Sequence, residues 1–438
     1  MEILVGNPRS LRGYYKYVVF AFFNGFGGSV WGGMTFYIGI PVVYLTYLNA
    51  SSMQIGLITA IFWGALAIPQ FWAAYISETK KIKKYWIGKV IITSSFTWLI
   101  LGIYILITRA SDQNLSIWLF LILFTLACLI KAFDVPANSA MMFKLIPTER
   151  LGKLGGIAGS VLFIGMVTAG IVITKINLTF EEPINIAVMF FLTFVISIMM
   201  SILLFTIEEP ENKKIDRSPH FIAFLGKCAA IIKTDRIFTK FIIGKWLMSG
   251  HHIMMAFILV YLINIRGINP VTAALFSSLH AFGSIISGLT IARFTDIHGP
   301  RFIFLLSQTL VIIYMVFAWL VPWTATPFII AVFFITGIAM GADWSGLGYM
   351  MLQCSPTEDK STYVALTFLG VNVLTVPLPI IFGKLMDTGI LNYNNLFAIL
   401  LTSTVVALIY IIYVFENPKA FIDMKAAQKQ AETAVQGQ

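Results

Sequence analysis

The sequence predicts an all-α polytopic membrane protein, with twelve transmembrane helices in two pseudo-symmetric six-helix bundles. Three observations carry this. Of 438 residues, 58% are hydrophobic and only 11% are charged, less than half the charge of an ordinary soluble protein, about 25%. The mean hydropathy of +0.86 is concentrated in apolar runs long enough, at about 20 residues, to cross a bilayer as helices. The one long polar break, 208–236, divides those runs six and six.

Read between charges, prolines and glycines, the first six spans fall roughly at 17–48, 53–77, 85–108, 116–145, 152–175 and 184–207. The second six fall at 238–264, 270–293, 301–321, 327–355, 361–386 and 395–415. The first run exceeds a straight crossing, and its Gly39-Ile40-Pro41 step predicts a bend. That run is also far longer than a signal-peptide core, so it is expected to remain as the first span. The expected organisation is an N-terminal bundle over 1–207, a cytoplasmic linker over 208–236, a C-terminal bundle over 237–415 and a polar, fraying cytoplasmic tail over 416–438. Within the linker, Phe221, Phe224, Leu225, Cys228, Ile231 and Ile232 share one helical face beside Lys227 and Lys233. This fits a helix lying in the membrane interface, and a solvated tether is the competing reading.

Orientation follows from lysine and arginine, which are retained on the cytoplasmic side. With the N-terminus inside, 24 of the 30 fall on the cytoplasmic side, and the outer loops hold only Arg109, Lys175, Arg266 and Lys384. Both termini are therefore expected in the cytoplasm, with the chain multi-pass in the plasma membrane. The formal charge of +10 reflects this bias, since no compact basic domain with interleaved aromatics points to nucleic acid. Cys128, Cys228 and Cys354 lack metal-ligand spacing and predict no disulfide framework. Asn49-Ala50-Ser51, Asn114-Leu115-Ser116 and Asn177-Leu178-Thr179 are glycosylation-like triplets in outer loops.

The halves repeat one another. Asp134, Met141, Met142, Pro147, Thr148 and Glu149 match Asp343, Met350, Met351, Pro356, Thr357 and Glu358 at one offset of 209, so span four corresponds to span ten. Val43-Tyr44 and Val260-Tyr261 relate spans one and seven more weakly. After span eight comes Ala292-Arg293-Phe294-Thr295-Asp296-Ile297-His298-Gly299-Pro300-Arg301. Twelve spans, the 6+6 division and this turn resemble the major facilitator superfamily, whose signature runs approximately Gly-x-x-x-Asp-Arg-x-Gly-x-Arg. The copy after span two is degraded, with Ala74, Glu78, Lys81 and Lys83 at the signature positions. Phe133-Asp134-Val135-Pro136-Ala137 through Pro147-Thr148-Glu149-Arg150 also resembles the family's turn from span four to span five. The resemblance implies alternating access around a central cavity lined by spans one, four, seven and ten. It also implies a cytoplasmic gate built from the signature turns, here Glu78, Lys83, Arg150, Asp296, Gly299 and Arg301. Ordinary solvated turn charges are the competing reading, stronger for the Glu78 copy.

An ionisable group inside a span is costly and is a functional hypothesis by default. Only Lys131 and Asp134 in span four, Lys245 in span seven and Asp343 in span ten qualify among formally charged residues. His251, His252, Asn24, Asn372 and Trp344 complete the candidate substrate and coupling cavity. Lys131 and Asp134 are three apart and can pair on one face. Asp343 has no charged neighbour on its own helix, so it needs a partner from elsewhere, such as Lys245, or a raised pKa. His251 and His252 point to different faces, so one at most reaches the lumen, and His280 reads as a packing or hydrogen-bonded residue. Pro136 is expected to free a backbone carbonyl for a polar ligand or water. Trp31, Phe36 and Tyr37 are further stacking candidates, and Gly25, Gly27, Gly28, Gly32 and Gly33 are read as close-packing positions.

These residues point to a secondary-active transporter of a small organic solute, a sugar, organic anion or zwitterion, coupled to protons. Asp134 and Asp343 are the expected coupling carboxylates, and Lys131 and Lys245 their counter-charges or contacts to an anionic solute. An exporter of amphipathic compounds and a non-transporting membrane sensor or assembly protein are the alternatives. No nucleotide loop, metal cluster or nucleophile-and-base set argues for an enzyme, and no cofactor is expected. The expected partners are the solute, protons and the lipid bilayer around a monomer.

Overall fold

The computed structural model describes residues 8–28, 40–67, 69–146, 150–211, 221–264, 270–320, 326–355, 360–418, 421–423, 426 and 430. Every regular element among them is a helix. Among the described residues nine helical stretches are long and apolar enough to cross a membrane, and they correspond to spans two to six and nine to twelve. Span one comprises Pro8–Gly27 and Ile40–Tyr47, span seven Arg236–Leu247 and Gly250–Asn264, and span eight Pro270–Thr290. The fold is twelve spans in two related six-helix halves. Ile107, Ile122, Ile171 and Ile202 are exposed around the outside, as expected of a surface solvated by lipid rather than water. Gly39, Trp31, Phe36, Tyr37, Gly32 and Gly33 lie outside the described residues.

Several spans are broken where proline removes a donor. In span two the helix Gln70–Glu78 starts anew after Pro69, and span eleven stops at Thr375 and restarts at Pro377. Span four stops at Ala132 and restarts at Val135, with Pro136 in the first turn of the new helix. Proline carries no N–H, so the carbonyl four residues back must find another partner. Span seven breaks at Met248 and Ser249 without a proline. Span ten runs unbroken from Thr326 to Gln353. The sequence repeat thus relates an aspartate at a helix break, Asp134, to one inside a continuous helix, Asp343.

Close crossings hold each half together. A Cβ on Gly25 of span one would lie 1.8 Å from the carbonyl oxygen of Leu162 in span five. One on Gly337 of span ten would lie 1.9 Å from that of His280 in span eight. Between halves, spans five and eight meet at Gly156, where a Cβ would lie 2.3 Å from Gly288 O. With no hydrophobic drive between helices in lipid, such backbone approach is how packing attraction is gained.

The linker helix exists, spanning Phe221–Thr234, with Phe224, Cys228 and Ile231 buried. Phe221 stacks on Trp72 at 5.4 Å and Phe224 meets Tyr75 at 5.8 Å, so the helix packs on the end of span two, while Ile222 stays exposed. The start of the tail is not frayed as expected, because Phe421 is buried and its ring lies 6.2 Å from Tyr349. Replacing Gly25 with valine should cost about 1–3 kcal/mol or more, since the clash is with backbone and cannot be relieved by a rotamer change. Gly155→Ala, which meets open space, should be close to neutral. Thermal unfolding of both variants in detergent checks this, and equal unfolding temperatures would refute the crossing.

Candidate functional site

In the N-terminal half, Lys131 occupies the last turn of the helix Gln113–Ala132, and Asp134 precedes the helix Val135–Leu145. The break brings Lys131 Nζ within 2.6 Å of Asp134 Oδ2, with both residues 2% exposed. The freed carbonyls are not offered to a ligand as the sequence led us to expect. Gln70 Nε2 donates to Ala132 O at 3.3 Å and Trp86 Nε1 to Phe133 O at 3.0 Å. Gln70 is the first residue of the helix that follows Pro69, and its buried side chain thus serves the carbonyl freed by Pro136 in span four. Sequence reasoning missed Gln70, although a fully buried glutamine beside a proline in an apolar run was a usable signal.

In the C-terminal half, Lys245 and Asp343 come from different spans. Lys245 Nζ donates to both carboxylate oxygens of Asp343 at 2.7 Å, and its ammonium lies 5.4 Å from the centre of the Phe304 ring. The pair borders a cavity of about 20 Å³, the space a water centre can occupy, which is room for about one water. His252, Trp344 and Asn372 share its lining with Trp63 of span two. The His252 ring lies 5.1 Å from that of Trp63. His251 points the other way, its Nδ1 2.6 Å from Tyr314 OH and its Nε2 3.4 Å from Met340 Sδ. The expected split of the two histidines is what the helical period produced. His280 Nδ1 lies 3.0 Å from Thr336 Oγ1, a hydrogen-bonded core histidine.

The four intramembrane charges therefore form two separate pairs rather than one cluster, and only the Lys245–Asp343 pair lines this cavity. Lys131, Asp134, Asn24 and His251 are not among its described lining residues. Asn24 is buried in span one, with no partner for Oδ1 among the described residues. Asn372 Nδ2 donates to Phe368 O at 2.7 Å, and its Oδ1 likewise has no partner among them. Trp63 and Thr367 are lining residues that sequence reasoning did not select, since lone aromatics and hydroxyls are common in an apolar chain.

On the face that the charge bias assigns to the cytoplasm, the two halves are joined by acids at helix starts. Asp296, after span eight, accepts from Gly152 N and Lys153 N at 2.9 Å each. These amides open the span-five helix Leu151–Thr179, whose own N-cap residue Arg150 supplies no side-chain cap. First-turn amides have no partner within their helix and carry partial positive charge, so a carboxylate suits them. Glu78, after span two, accepts from the Thr362 hydroxyl at the start of span eleven, and Ser77 Oγ lies 3.1 Å from Ser361 Oγ. Gly152 and Ser361 are related by the same repeat offset of 209. The degraded copy therefore occupies the same place as the intact one, and Glu78 is more than a solvated turn charge.

The basic signature residues do not bridge the halves. Arg301 Nη2 donates to Ile412 O at 2.5 Å and its backbone N to Asn417 Oδ1 at 3.0 Å, both within the C-terminal half. Gly299, at φ +82°, ends the short helix Ala292–His298, and a Cβ there would lie 2.8 Å from Asn417 Oδ1. In the other half Lys84, not Lys83, does the equivalent work, donating to Phe205 O at 2.8 Å and Ile207 O at 2.7 Å. Glu209 stands for Asn417, accepting from Lys83 N and Lys84 N at 2.8 Å and pairing with Lys144 at 2.6 Å. Lys83 instead turns inward and is 2% exposed, donating to Ser77 O at 2.6 Å and Ser77 Oγ at 3.1 Å.

Burial, then repulsion from Lys144, lowers the Lys83 ammonium from 10.5 to about 8, with Glu209 and Glu78 partly offsetting the shift. Unfolding hydrates Lys83 and restores its ordinary value. Between those two values the folded protein binds fewer protons than the unfolded chain, so it gains stability as pH rises through that window. Below the window both states are protonated and the pH dependence from this group vanishes. The thermal unfolding temperature in detergent should therefore rise between about pH 8 and about pH 10.5, and Lys83→Met should remove this part of the dependence. An unchanged profile in the variant would refute it.

No curated protein matches the sequence significantly. Among solved structures, the fold is similar to the proton:xylose symporter XylE, with a TM-score of 0.67 at 12% identity over 94% of this chain and 97% of that one. The human organic anion transporter MFSD10 gives 0.67 at 12% identity, over 91% and 99%. The nucleoside transporter NupG gives 0.64 at 14%, over 92% and 100%. A family profile matches residues 18–279 and again 243–437, two overlapping stretches that together cover the twelve-span fold already described. On that coverage the chain belongs to the Major Facilitator Superfamily.

Proposed function

We propose that the protein is a secondary-active transporter that carries a small organic solute across the cytoplasmic membrane by alternating access, driven by protons. Both termini lie in the cytoplasm, and residues 1–207 and 237–415 are the two moving bundles. The observation that carries this reading is the Lys245–Asp343 pair, buried between spans seven and ten at the edge of a cavity that Trp63 of the opposite half closes.

A buried pair is stable only while both partners are charged, and removing one leaves the other uncompensated at a cost of about 3–5 kcal/mol. Protonation of Asp343 is such a removal. It releases Lys245, loosens the join between spans seven and ten, and ties the shape of the cavity to proton occupancy. Lys131–Asp134 is the corresponding pair of the other half, self-contained within span four and suited to holding its break rigid. Asp296, capping span five, and Glu78, held by the Thr362 hydroxyl of span eleven, then keep the cytoplasmic side shut through contacts between the halves that exist in one state only. Since both signature acids are engaged, degradation of the first signature no longer favours a protein that has lost turnover.

In liposomes, an inward proton gradient should drive accumulation of the solute by the native protein. Asp343→Asn should reduce gradient-driven accumulation tenfold or more while preserving solute exchange at equal concentrations on both sides. Accumulation by the variant at the native rate would contradict proton coupling through this residue.

A further inference from the structure

The class of solute is open in the transport reading, on which this inference rests. We infer that the solute is uncharged and donates hydrogen bonds from a ring with one apolar face, a polyhydroxylated ring of the kind shared by sugars and nucleosides. Asn372 is its specificity-determining acceptor.

Charge comes first. The only formally charged residues lining the described cavity, Lys245 and Asp343, neutralise one another, with both carboxylate oxygens 2.7 Å from the ammonium. An anionic solute bound by the remaining N–H of Lys245 would share its single positive charge with Asp343 and leave one negative charge uncompensated in the membrane. A cationic solute faces the converse. The other intramembrane cation, Lys131, is already held by Asp134 at 2.6 Å. A zwitterion would have to split the Lys245–Asp343 pair before making either of its own contacts. A neutral solute leaves the pair intact, free to respond to a proton alone.

Polarity and shape come second. Asn372 is 2% exposed, and its amide nitrogen is committed to Phe368 O. Its carbonyl oxygen has no partner among the described residues and belongs to a side chain that lines the cavity. A buried acceptor without a donor is costly, and a hydroxyl or ring N–H supplied by a solute removes that cost. Thr367 Oγ1 has already given its proton to Tyr363 O at 2.8 Å, so it too is left as an acceptor. Around these two acceptors stand the rings of Trp63, His252, Trp344 and Phe368, flat surfaces suited to the C–H face of a ring. At about 20 Å³ the cavity is too small for such a ring, and Trp63 is its described wall from the N-terminal half. Admission of a solute therefore requires span two to draw back from spans seven, ten and eleven.

The test is solute exchange in liposomes containing the full-length protein, with glucose, uridine, lactate, alanine and tetraethylammonium each supplied in turn. Saturable exchange of glucose or uridine, and of none of the charged solutes, is expected, and whichever is taken distinguishes the two sources of the shared chemistry. Asn372→Ala should raise KM for that solute tenfold or more. In the native protein, a series of deoxy analogues should show one hydroxyl whose removal raises KM comparably, which keeps the assignment testable if the variant does not fold. Saturable exchange of lactate, alanine or tetraethylammonium with the neutral solutes inert overturns this inference while leaving the transport reading standing. An unchanged KM in a folded Asn372→Ala protein overturns the role of Asn372. Exchange of no class overturns the transport reading and the inference with it.

Discussion

A charge inside a bilayer must be neutralised by a partner, and this one constraint organises the interior of the protein. Four formally charged side chains lie deep within the spans, and the structure resolves them into two pairs at 2.6 and 2.7 Å. One pair is local and needs a helix break to bring its members together. The other is built from two spans and makes their contact conditional on the charge of both members. The difference decides which pair can act as a switch. In the proposed mechanism a local pair can take up a proton without moving a helix, whereas proton uptake by the inter-span pair loosens the contact between two spans.

The same electrostatic logic recurs at the surface that carries most of the lysines and arginines. There two helix starts are met by acids from the opposite half, Asp296 accepting from the first amides of span five and Glu78 from the Thr362 hydroxyl at the start of span eleven. The basic residues near them serve their own halves, with Lys84 and Arg301 binding the carbonyl ends of spans six and twelve. Acids thus join the halves while bases hold each half together. This division follows from helix polarity, since the exposed amides begin the spans that enter from this face and the exposed carbonyls end those that arrive at it.

Much of this was legible in the sequence. The spans, the six-plus-six division, the four intramembrane charges and the divergence of His251 from His252 all follow from hydropathy and helical period. What was not legible depended on contacts between distant segments. Pro136 announced that a carbonyl would be freed, but nothing local identified Gln70 and Trp86 as its neighbours' donors. Aligning the two signatures put Lys83 opposite Arg301, whereas it is Lys84 that binds the carbonyl end of span six as Arg301 binds that of span twelve. Asn417 looked like part of a loose tail, yet it caps span nine, because a cap is defined by where a helix begins in space. The location of the charges was readable from composition, and their division into two pairs was a property of the packing.

The central claim is that the Lys245–Asp343 pair opens when Asp343 takes up a proton. The most direct measurement is infrared difference spectroscopy of the reconstituted protein across a pH titration, with Asp343→Asn as the reference. The account predicts a carbonyl band of a protonated, buried carboxylic acid that grows as pH falls, shifts in heavy water and is missing from the variant. A carboxylate at Asp343 that stays ionised at every pH supporting transport would contradict it.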